Sequence, residues 1–436
     1  MYKNILTLLI VSFLINNSYE EEEKFIEQKI FIENQNPFIN ITIGDQKNKK
    51  FLISLLSPFI ITYPNEGKDF RYNKTSKSFK NKTINSNVII SGKSTNISIG
   101  EENFIFNNTN VINLDFGIST QSESTIDSSA GVYGLMRDVN GFKNLNENHT
   151  FLNQLLNKKL ISKKIFSIGA YYNQKGELLN ESNLILGKFP EQYKDDKKLF
   201  SCPLINDSNS NNFFDCKISS ISFENITNNQ NDDDDDGINE IESNATMKII
   251  GRFAEEGIKP IILPSWIFEK FKEYFIDQKK CKFYLNIIDC KGNPDVIKNI
   301  NISIIINNYK FTFNSKSVWN NGILNFICDN SNGSTIILSG AFLGNFYRIY
   351  DVDNKKIYFS DINNLISRYI RYYYDEKRET IIWVIIICSS AFLLTICIVI
   401  VLLLSKGRGK DLEENVKKVS FRDTKNKEDK DEDNLL

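Results

Sequence analysis

Short apolar segments recur along most of the chain, and Asn, Gly, Ser and Asp fill the spaces between them. A spacing of roughly ten residues between such segments is typical of many short β-strands. Residues 38–43 alternate between apolar and polar side chains, which predicts a half-buried strand. Residues 302–306 and 309–313 flank the two-residue turn Asn307-Asn308, which predicts a β-hairpin. The pattern therefore predicts an all-β architecture.

Two segments carry a helical pattern instead. Residues 151–159 repeat apolar side chains at helical spacing, and residues 265–275 do the same directly after Pro264, a typical helix start. We expect these to be short helices at the edge of a β fold.

The two ends of the chain predict membrane insertion. A basic start, an apolar run at 5–15 and small polar residues are typical of a signal peptide, predicted here as residues 1–18. Residues 381–404 are uncharged and apolar, and at about 1.5 Å per residue they can cross a hydrocarbon layer of about 30 Å. Basic residues flank this span on both sides, so the signal peptide sets the orientation. We expect a type I single-pass protein with a luminal or extracellular ectodomain.

The segments around the predicted span are polar. Residues 364–380 form a juxtamembrane stalk in this interpretation, and residues 405–436 form a cytoplasmic tail too charged to fold alone. The tail ends in an acidic dileucine pattern, Asp431 followed by Leu435 and Leu436. Two interpretations stay open. The pattern is either read by sorting adaptors, which direct the protein to endosomes, lysosomes or vacuoles, or it belongs to a merely solvated tail.

Composition and charge exclude several function classes. The 53 Lys and Arg balance 54 Asp and Glu, so no net charge attracts nucleic acid. His149 is the single histidine, which excludes all-His zinc sites and mechanisms that need a histidine pair. We expect no cofactor and no metal. An acidic insertion at about 228–243 is predicted to be disordered, with a calcium site as the alternative.

Cysteines and glycosylation motifs are consistent with an oxidising lumen. Five of the seven cysteines precede the predicted span, so an odd one remains or pairs between chains. About a dozen Asn-x-Ser/Thr motifs, among them Asn40, Asn73, Asn96 and Asn180, also precede it, and those that carry glycans must lie at the surface.

Several segments appear in an order that resembles one family. These segments are residues 36–46 and 51–53, residues 114–119 with Phe-Gly-Ile-Ser, residues 130–135 with Ala-Gly-Val-Tyr-Gly-Leu, and residues 336–359. They are similar to stretches of the pepsin-like aspartic proteases, peptidase family A1. The resemblance implies a bilobal fold with a cleft between two β lobes, at 30–195 and 196–363. It also implies the disulfides Cys290–Cys328 and Cys202–Cys216, with Cys281 unplaced.

The family's chemistry needs two carboxylates that share one proton, each in an Asp-Thr/Ser-Gly turn. No such triplet occurs in this sequence. By the resemblance, Leu56 stands where the first Asp belongs, followed by Ser57 and by Pro58 in the glycine position. Glu255 replaces the second Asp, with a register uncertain by one residue. Leucine cannot ionise, so we expect the protein to be catalytically inactive. The alternative is an unrecognised carboxylate pair.

A two-lobed cleft takes extended peptides by strand-like hydrogen bonding. We therefore expect a noncatalytic, membrane-anchored protein that binds peptide or protein segments. Two alternatives stay open: an active membrane-anchored aspartic endopeptidase and a structural surface glycoprotein. The hairpin tip at 89–95, which covers the cleft in the family, lacks the family's tyrosine here. The expected binding residues are Leu56, Ser57, Tyr63, Ile90, Gly92, Glu255, Glu256 and Gly257.

Overall fold

The structure, a computed structural model, describes residues 23–368 and a few residues beyond them. The gaps within this range are 65–70, 91–92, 107–110, 121–128, 195–198, 206–211, 226–238, 243–247, 256–259, 285–286, 314, 321 and 330–332; beyond it, Phe392, Thr395 and Ile396 are described. The predicted signal peptide, the stalk beyond residue 368, nearly all of the predicted span and the tail lie outside the described residues. In the part of the chain that the structure covers, no helix is long and apolar enough to cross a membrane.

The first half of the described chain is built mainly from strands rich in β-branched and aromatic residues. These are β1 Ile26–Glu33, β2 Asn36–Ile43, β3 Gln46–Ser54, β4 Ile61–Thr62, β5 Lys80–Ile90, β6 Lys93–Ile105, β7 Ile112–Ser119, β8 Gly131–Gly134, β9 Ile165–Ile168 and β10 Glu181–Leu186.

The second half repeats this character with shorter strands. These are β11 Leu199–Pro203, β12 Asp215–Asn225, β13 Asn239–Glu242, β14 Ile249–Phe253, β15 Ile261–Pro264, β16 Lys282–Tyr284, β17 Ile287–Asp289, β18 Ile300–Ile306, β19 Tyr309–Thr312, β20 Trp319–Asn320, β21 Ile323–Leu324, β22 Phe326–Asp329, β23 Thr335–Leu338, β24 Tyr347–Asp351, β25 Lys356–Ser360 and β26 Ile366–Arg368.

The helices are short. They are α1 Phe151–Asn157, α2 Ser265–Glu273, α3 Pro294–Asn299, α4 Ser315–Val318 and α5 Gly340–Leu343. Both helices predicted from the sequence are present as α1 and α2, and α2 continues as a π-helical turn at Tyr274–Gln278. Each of these two helices buries one apolar face, as Phe268 and Phe271 do in α2.

Two large sheets carry the fold, and each half contains a similar core. In the first half β3 runs parallel to β8, and β4 runs parallel to β7. In the second half β14 runs parallel to β23, and β15 runs parallel to β22. The loop that follows β3 and the loop that follows β14 therefore leave strands that pair in the same way in the two halves. The predicted bilobal, mostly β fold is confirmed.

The two halves share one sheet. Strands β24 and β25 come late in the second half, yet β24 pairs antiparallel with β9 of the first half, with Arg348 opposite Ile168. Strand β11 extends this sheet on the outer side of β25. The lobes are therefore joined by backbone hydrogen bonds beneath their junction as well as by the chain connection.

The predicted hairpin is also present. Strands β18 and β19 pair antiparallel, with Ile306 opposite Tyr309. Asn307 and Asn308 have φ of 48° and 65°, the left-handed conformation that a two-residue hairpin turn of this type requires. Asparagine tolerates this conformation better than most residues, so the turn could be identified from sequence alone.

One predicted disulfide is correct and one is wrong. Cys202 and Cys216 are bonded, as expected. Cys290 pairs with Cys281, not with Cys328. The reason is local pairing, since Lys282 lies opposite Asp289 in the β16–β17 hairpin and places the cysteines just outside it across from each other. Cys328 lies in β22 of a different sheet, where it stands opposite Leu263 of β15.

The predicted acidic insertion is only partly described. Its segment Asn239–Glu242 forms β13, which pairs with β12. The expectation of disorder throughout 228–243 is therefore wrong for these four residues, whose backbone completes an edge of the second sheet. The run of aspartates at 232–236 lies outside the described residues.

Candidate active site at the junction of the lobes

The loop after β3 is a hydrogen-bonded turn without an acid. The backbone N–H of Leu56 donates to the Ser54 hydroxyl at 3.1 Å, and the Ser54 and Ser57 hydroxyl oxygens are 3.4 Å apart. The backbone N–H of Met136 donates to the carbonyl of Ser57 at 2.9 Å. The carbonyl of Pro58 accepts from the N–H of Phe151 at the start of α1. The turn is held from several sides, but the side chain that it presents is a leucine.

Leu56 lies in a small apolar cluster that includes residues of both lobes. Its members are Leu56 and Met136 from the first half and Phe213 and Ala254 from the second. Leu56 is only 6% exposed and Ala254 only 3%. Ala254 directly follows β14, as Leu56 follows β3 with one residue between. Leu56, which the resemblance aligns with the first catalytic Asp of the family, therefore packs against apolar side chains of both lobes.

Glu255, the residue after Ala254, is fully buried and faces the sheet that joins the lobes. Arg348 of β24 binds it in a two-pronged ion pair, with Nε donating to Oε1 at 2.8 Å and a terminal N–H donating to Oε2 at 2.9 Å. The hydroxyl of Tyr171 donates to Oε2 at 2.9 Å, and that of Tyr350 donates to Oε1 at 3.0 Å. Four donors thus surround the two carboxylate oxygens, which leaves little opportunity for contact with a bound peptide.

Arg348 is equally well satisfied. Its remaining terminal nitrogen donates to the carbonyls of Gly169 and Phe346 at 2.8 and 2.7 Å, and its guanidinium lies 4.6 Å from the centre of the Tyr171 ring. Gly169 directly follows β9, so one arginine side chain ties β24, the first lobe and Glu255 together. A buried ion pair of this kind is stable only when nearly every polar atom has a partner, and here the partners are present.

The electrostatics of the cluster keep the guanidinium of Arg348 charged. Burial alone would lower the pKa of Arg348, but the charge and hydrogen bonds of Glu255 together with the neighbouring Tyr171 and Tyr350 outweigh burial and raise the pKa above its ordinary value. Burial raises the pKa of the Tyr171 and Tyr350 hydroxyls well above the usual value, and the charge of Glu255 raises it further. Both tyrosines therefore remain hydrogen-bond donors throughout the physiological pH range.

The other buried carboxylates of the described chain are engaged elsewhere. Asp215 accepts two hydrogen bonds from Arg252, at 2.9 and 2.7 Å. Glu102 accepts from the Tyr72 hydroxyl at 2.8 Å, and Asp351 accepts from the backbone and side chain of Asn354. Each is bound to non-acidic partners, so among the described residues no pair of buried carboxylates shares a proton. Within the same residues, no three metal-ligating side chains come together.

The structure places the predicted site residues in three groups. Leu56, Ser57 and Glu255 lie around the junction of the lobes, all nearly or fully buried. Tyr63 and Ile90 are buried in the core of the first lobe, Tyr63 with its ring 5.5 Å from the guanidinium of Arg71. Gly92, Glu256 and Gly257 lie outside the described residues.

The partners of Glu255 were not identified from the sequence. The sequence does indicate that Arg348 has an acidic partner. It lies inside the apolar strand Tyr347–Asp351, and a buried guanidinium needs an acid. Nothing in the sequence says that the acid lies 93 residues away or that Tyr171 joins the pair.

Comparisons with known proteins agree with the fold. The sequence model of the family described as eukaryotic aspartyl protease matches residues 64–362. Among solved structures, the crystal structure of the aspartic proteinase from Irpex lacteus is similar, with a TM-score of 0.59 and 12% sequence identity over 78% of this chain and 98% of that one. No curated protein sequence gives a significant match.

The chain belongs to the eukaryotic aspartyl protease family and has the pepsin-like fold. The family match begins at residue 64, beyond Leu56, Ser57 and Pro58. Two disulfides in a member of this family are typical of a secreted or luminal protein.

Proposed function

We propose that this protein is a noncatalytic member of the aspartyl protease family that binds extended peptide or protein segments in the cleft between its lobes. It is anchored as a type I membrane protein by residues 381–404, after removal of the signal peptide 1–18. Leu56 and the hairpin tip around Gly92 contact the bound segment. Glu255 does not contact the bound segment and instead holds the lobes together through its ion pair with Arg348.

One observation supports the loss of catalysis above all others. Leu56 packs with Met136, Phe213 and Ala254 where the first carboxylate of the family belongs. Aspartic protease chemistry needs one carboxylate as base and a second as acid toward the same water and carbonyl. Glu255, which the resemblance aligns with the second carboxylate, is bound by Arg348 and two tyrosines. Losing one member of such a unit typically lowers the rate by more than about a thousandfold.

The decisive experiment measures cleavage and binding in the same preparation. The full chain, expressed in eukaryotic cells and purified in detergent, is incubated with a mixed peptide library between about pH 3 and 6, the range suited to a shared-proton dyad. We expect peptides to be retained and none to be cleaved. Mass spectrometry detects products, and a pepstatin-type ligand competes for the cleft.

The alternatives predict other results. Cleavage that is lost in Glu255→Gln, while the variant melts like the wild type, identifies an active endopeptidase. Neither cleavage nor peptide retention identifies a structural glycoprotein with a vestigial cleft. Either result contradicts the proposal.

The sorting part of the proposal has its own test. The proposed sorting signal is the acidic dileucine pattern formed by Asp431, Leu435 and Leu436. Replacing both leucines by alanine is expected to shift the full chain from endolysosomal compartments to the cell surface, as seen by surface labelling. An unchanged distribution would leave the tail as a solvated segment.

A further inference from the structure

One charged side chain borders the apolar cluster at the junction of the lobes. Burial alternates along β14, and Arg252 lies on the less buried face of that strand. On this face Arg252 stands opposite Ile337 of β23, and Ile337 packs against the cluster that contains Leu56. The side chain of Arg252 therefore lies beside the region where the proposed function places a bound peptide.

The guanidinium of Arg252 is held in one position. Its Nε donates to Oδ1 of Asp215 at 2.9 Å, and its Nη2 donates to Oδ2 at 2.7 Å. Asp215 is fully buried. The guanidinium carbon also lies 3.8 Å from the centre of the Phe213 ring, which is itself a member of the apolar cluster. Because the protein has already fixed the guanidinium, a ligand that binds it loses little affinity to ordering the side chain.

The segment that carries Phe213 is anchored to the first lobe. The backbone N–H of Arg137 donates to the carbonyl of Asn212 at 3.2 Å. The side-chain amide of Asn212 donates to the carbonyl of Asn140 at 2.6 Å. Arg137 and Asn140 belong to the first half of the chain, and Phe213 directly follows Asn212. Arg252 therefore stacks on a ring whose position depends on both lobes.

One nitrogen of Arg252 is available to a ligand. The ion pair with Asp215 uses Nε and Nη2, and Nη1 has no hydrogen-bond partner among the described residues. The side chain is 23% exposed. Asp215 offsets part of the positive charge, but Nη1 still carries N–H groups that can only donate, and hydrogen bonds from a guanidinium to a carboxylate are among the strongest. The site therefore combines an apolar surface with one fixed donor for an acidic group.

We propose that Arg252 makes the cleft selective for acidic peptide segments. Its Nη1 donates to the carboxylate of an Asp or Glu side chain of the bound segment. A neighbouring apolar side chain of the same segment packs on the cluster of Leu56 and Phe213. This inference rests on the proposed function, because it concerns the same cleft, and it adds the class of peptide that the cleft selects.

The test begins with the peptides that the protein retains. The full chain, purified in detergent, is incubated with a synthetic peptide library at neutral pH, where Asp and Glu side chains are ionised. We expect the retained peptides to be enriched in sequences with Asp or Glu next to an apolar residue. The strongest binder is then compared with the same peptide carrying the corresponding amide in place of the acid, by competition against a fluorescent copy.

A double-mutant cycle then assigns the preference to Arg252. Arg252→Gln removes the donor, and Lys217→Gln is the matched control, since Lys217 is an exposed cation two residues beyond Asp215 on the same face of β12. We expect the amide peptide to bind at least about tenfold more weakly than the acidic one on the wild type and on Lys217→Gln. On Arg252→Gln the two peptides should bind alike. Because Arg252→Gln leaves the buried Asp215 without its cation, the cycle is repeated with Arg252→Gln combined with Asp215→Asn.

The outcomes separate this inference from the proposed function. Retained peptides without an acidic preference, or an acidic preference that persists in both Arg252 variants, overturn the role of Arg252 and leave peptide binding intact. Retention of no peptide by the wild type contradicts the proposed function itself.

Discussion

Glu255 and Arg348 carry opposite charges that are both fully removed from water. Removing one partner of a buried pair leaves the other charge unsatisfied, which typically costs about 3–5 kcal/mol. We therefore expect Arg348→Met to lower the free energy of unfolding by about that amount, measured by urea denaturation. The matched control is Lys29→Met, which breaks an exposed pair with Glu181 and should cost less than about 1 kcal/mol. Similar losses in the two variants would contradict the structural role of Arg348.

A second residue-scale prediction concerns acid stability. Hydrogen bonds from Lys80 and Lys82 lower the pKa of Glu101 to about 2. The folded state therefore binds a proton here at lower pH than the unfolded state does, so the stabilisation is complete above the usual pKa of 4.5 and is lost as the pH falls toward 2. We expect Glu101→Gln to lower the melting temperature at neutral pH, and the difference from wild type to vanish near pH 2. A constant difference at every pH would show that the ion pairs are not its cause.

The sequence indicated which residue types lie at the junction of the lobes, but it did not indicate which residues contact one another there. Leu56 and Glu255 could be singled out because the family chemistry specifies which side chain belongs in each turn. Arg348 and Tyr171 could not, since their meeting with Glu255 depends on the antiparallel pairing of β9 with β24, between strands far apart in the chain.

At the scale of elements, short sequence patterns predicted individual helices and hairpins correctly, but they did not predict which cysteines pair. The β18–β19 hairpin and helices α1 and α2 follow from alternation, turn residues and helical spacing within short windows. The predicted disulfide Cys290–Cys328 in the second lobe was wrong because it was taken only from the interval between cysteines that the family resemblance implied. The actual bond follows the β16–β17 hairpin, which the sequence signals only weakly.

That hairpin disulfide gives an element-scale prediction. The Cys281–Cys290 bond closes a short loop of nine residues, for which the chain-entropy account gives about 2–3 kcal/mol of stabilisation. We expect Cys281→Ser to lose about this much in urea denaturation, with Cys328→Ser as the matched control that leaves both disulfides intact. Peptide mapping without reduction should recover Cys281 joined to Cys290. A fragment that joins Cys290 to Cys328 would contradict the structure.

At the scale of the whole molecule, the lobes meet in two different ways. Below the junction, a continuous sheet and the Glu255–Arg348 pair connect them through hydrogen bonds. At the junction itself, the contact is apolar, through the cluster of Leu56 with Ala254. An active aspartic protease keeps its junction polar and hydrated, because water is a reactant there. In this chain the described residues of the junction pack as hydrocarbon, which supports the proposed loss of catalysis.

This arrangement predicts that one substitution cannot restore catalysis. Leu56→Asp places a carboxylate among Met136, Phe213 and Ala254, and we expect it to lower the free energy of unfolding by about 3 kcal/mol or more, through lost burial and an unpaired charge. No peptide cleavage should appear, because Glu255 stays bound to Arg348 and Pro58 removes an N–H from the turn. Leu56→Asn is the control of equal shape without charge, and both variants are assayed for products by mass spectrometry at acidic pH. Cleavage by Leu56→Asp alone would mean that Glu255, or an acid in the residues that follow it, is available as the second carboxylate after all.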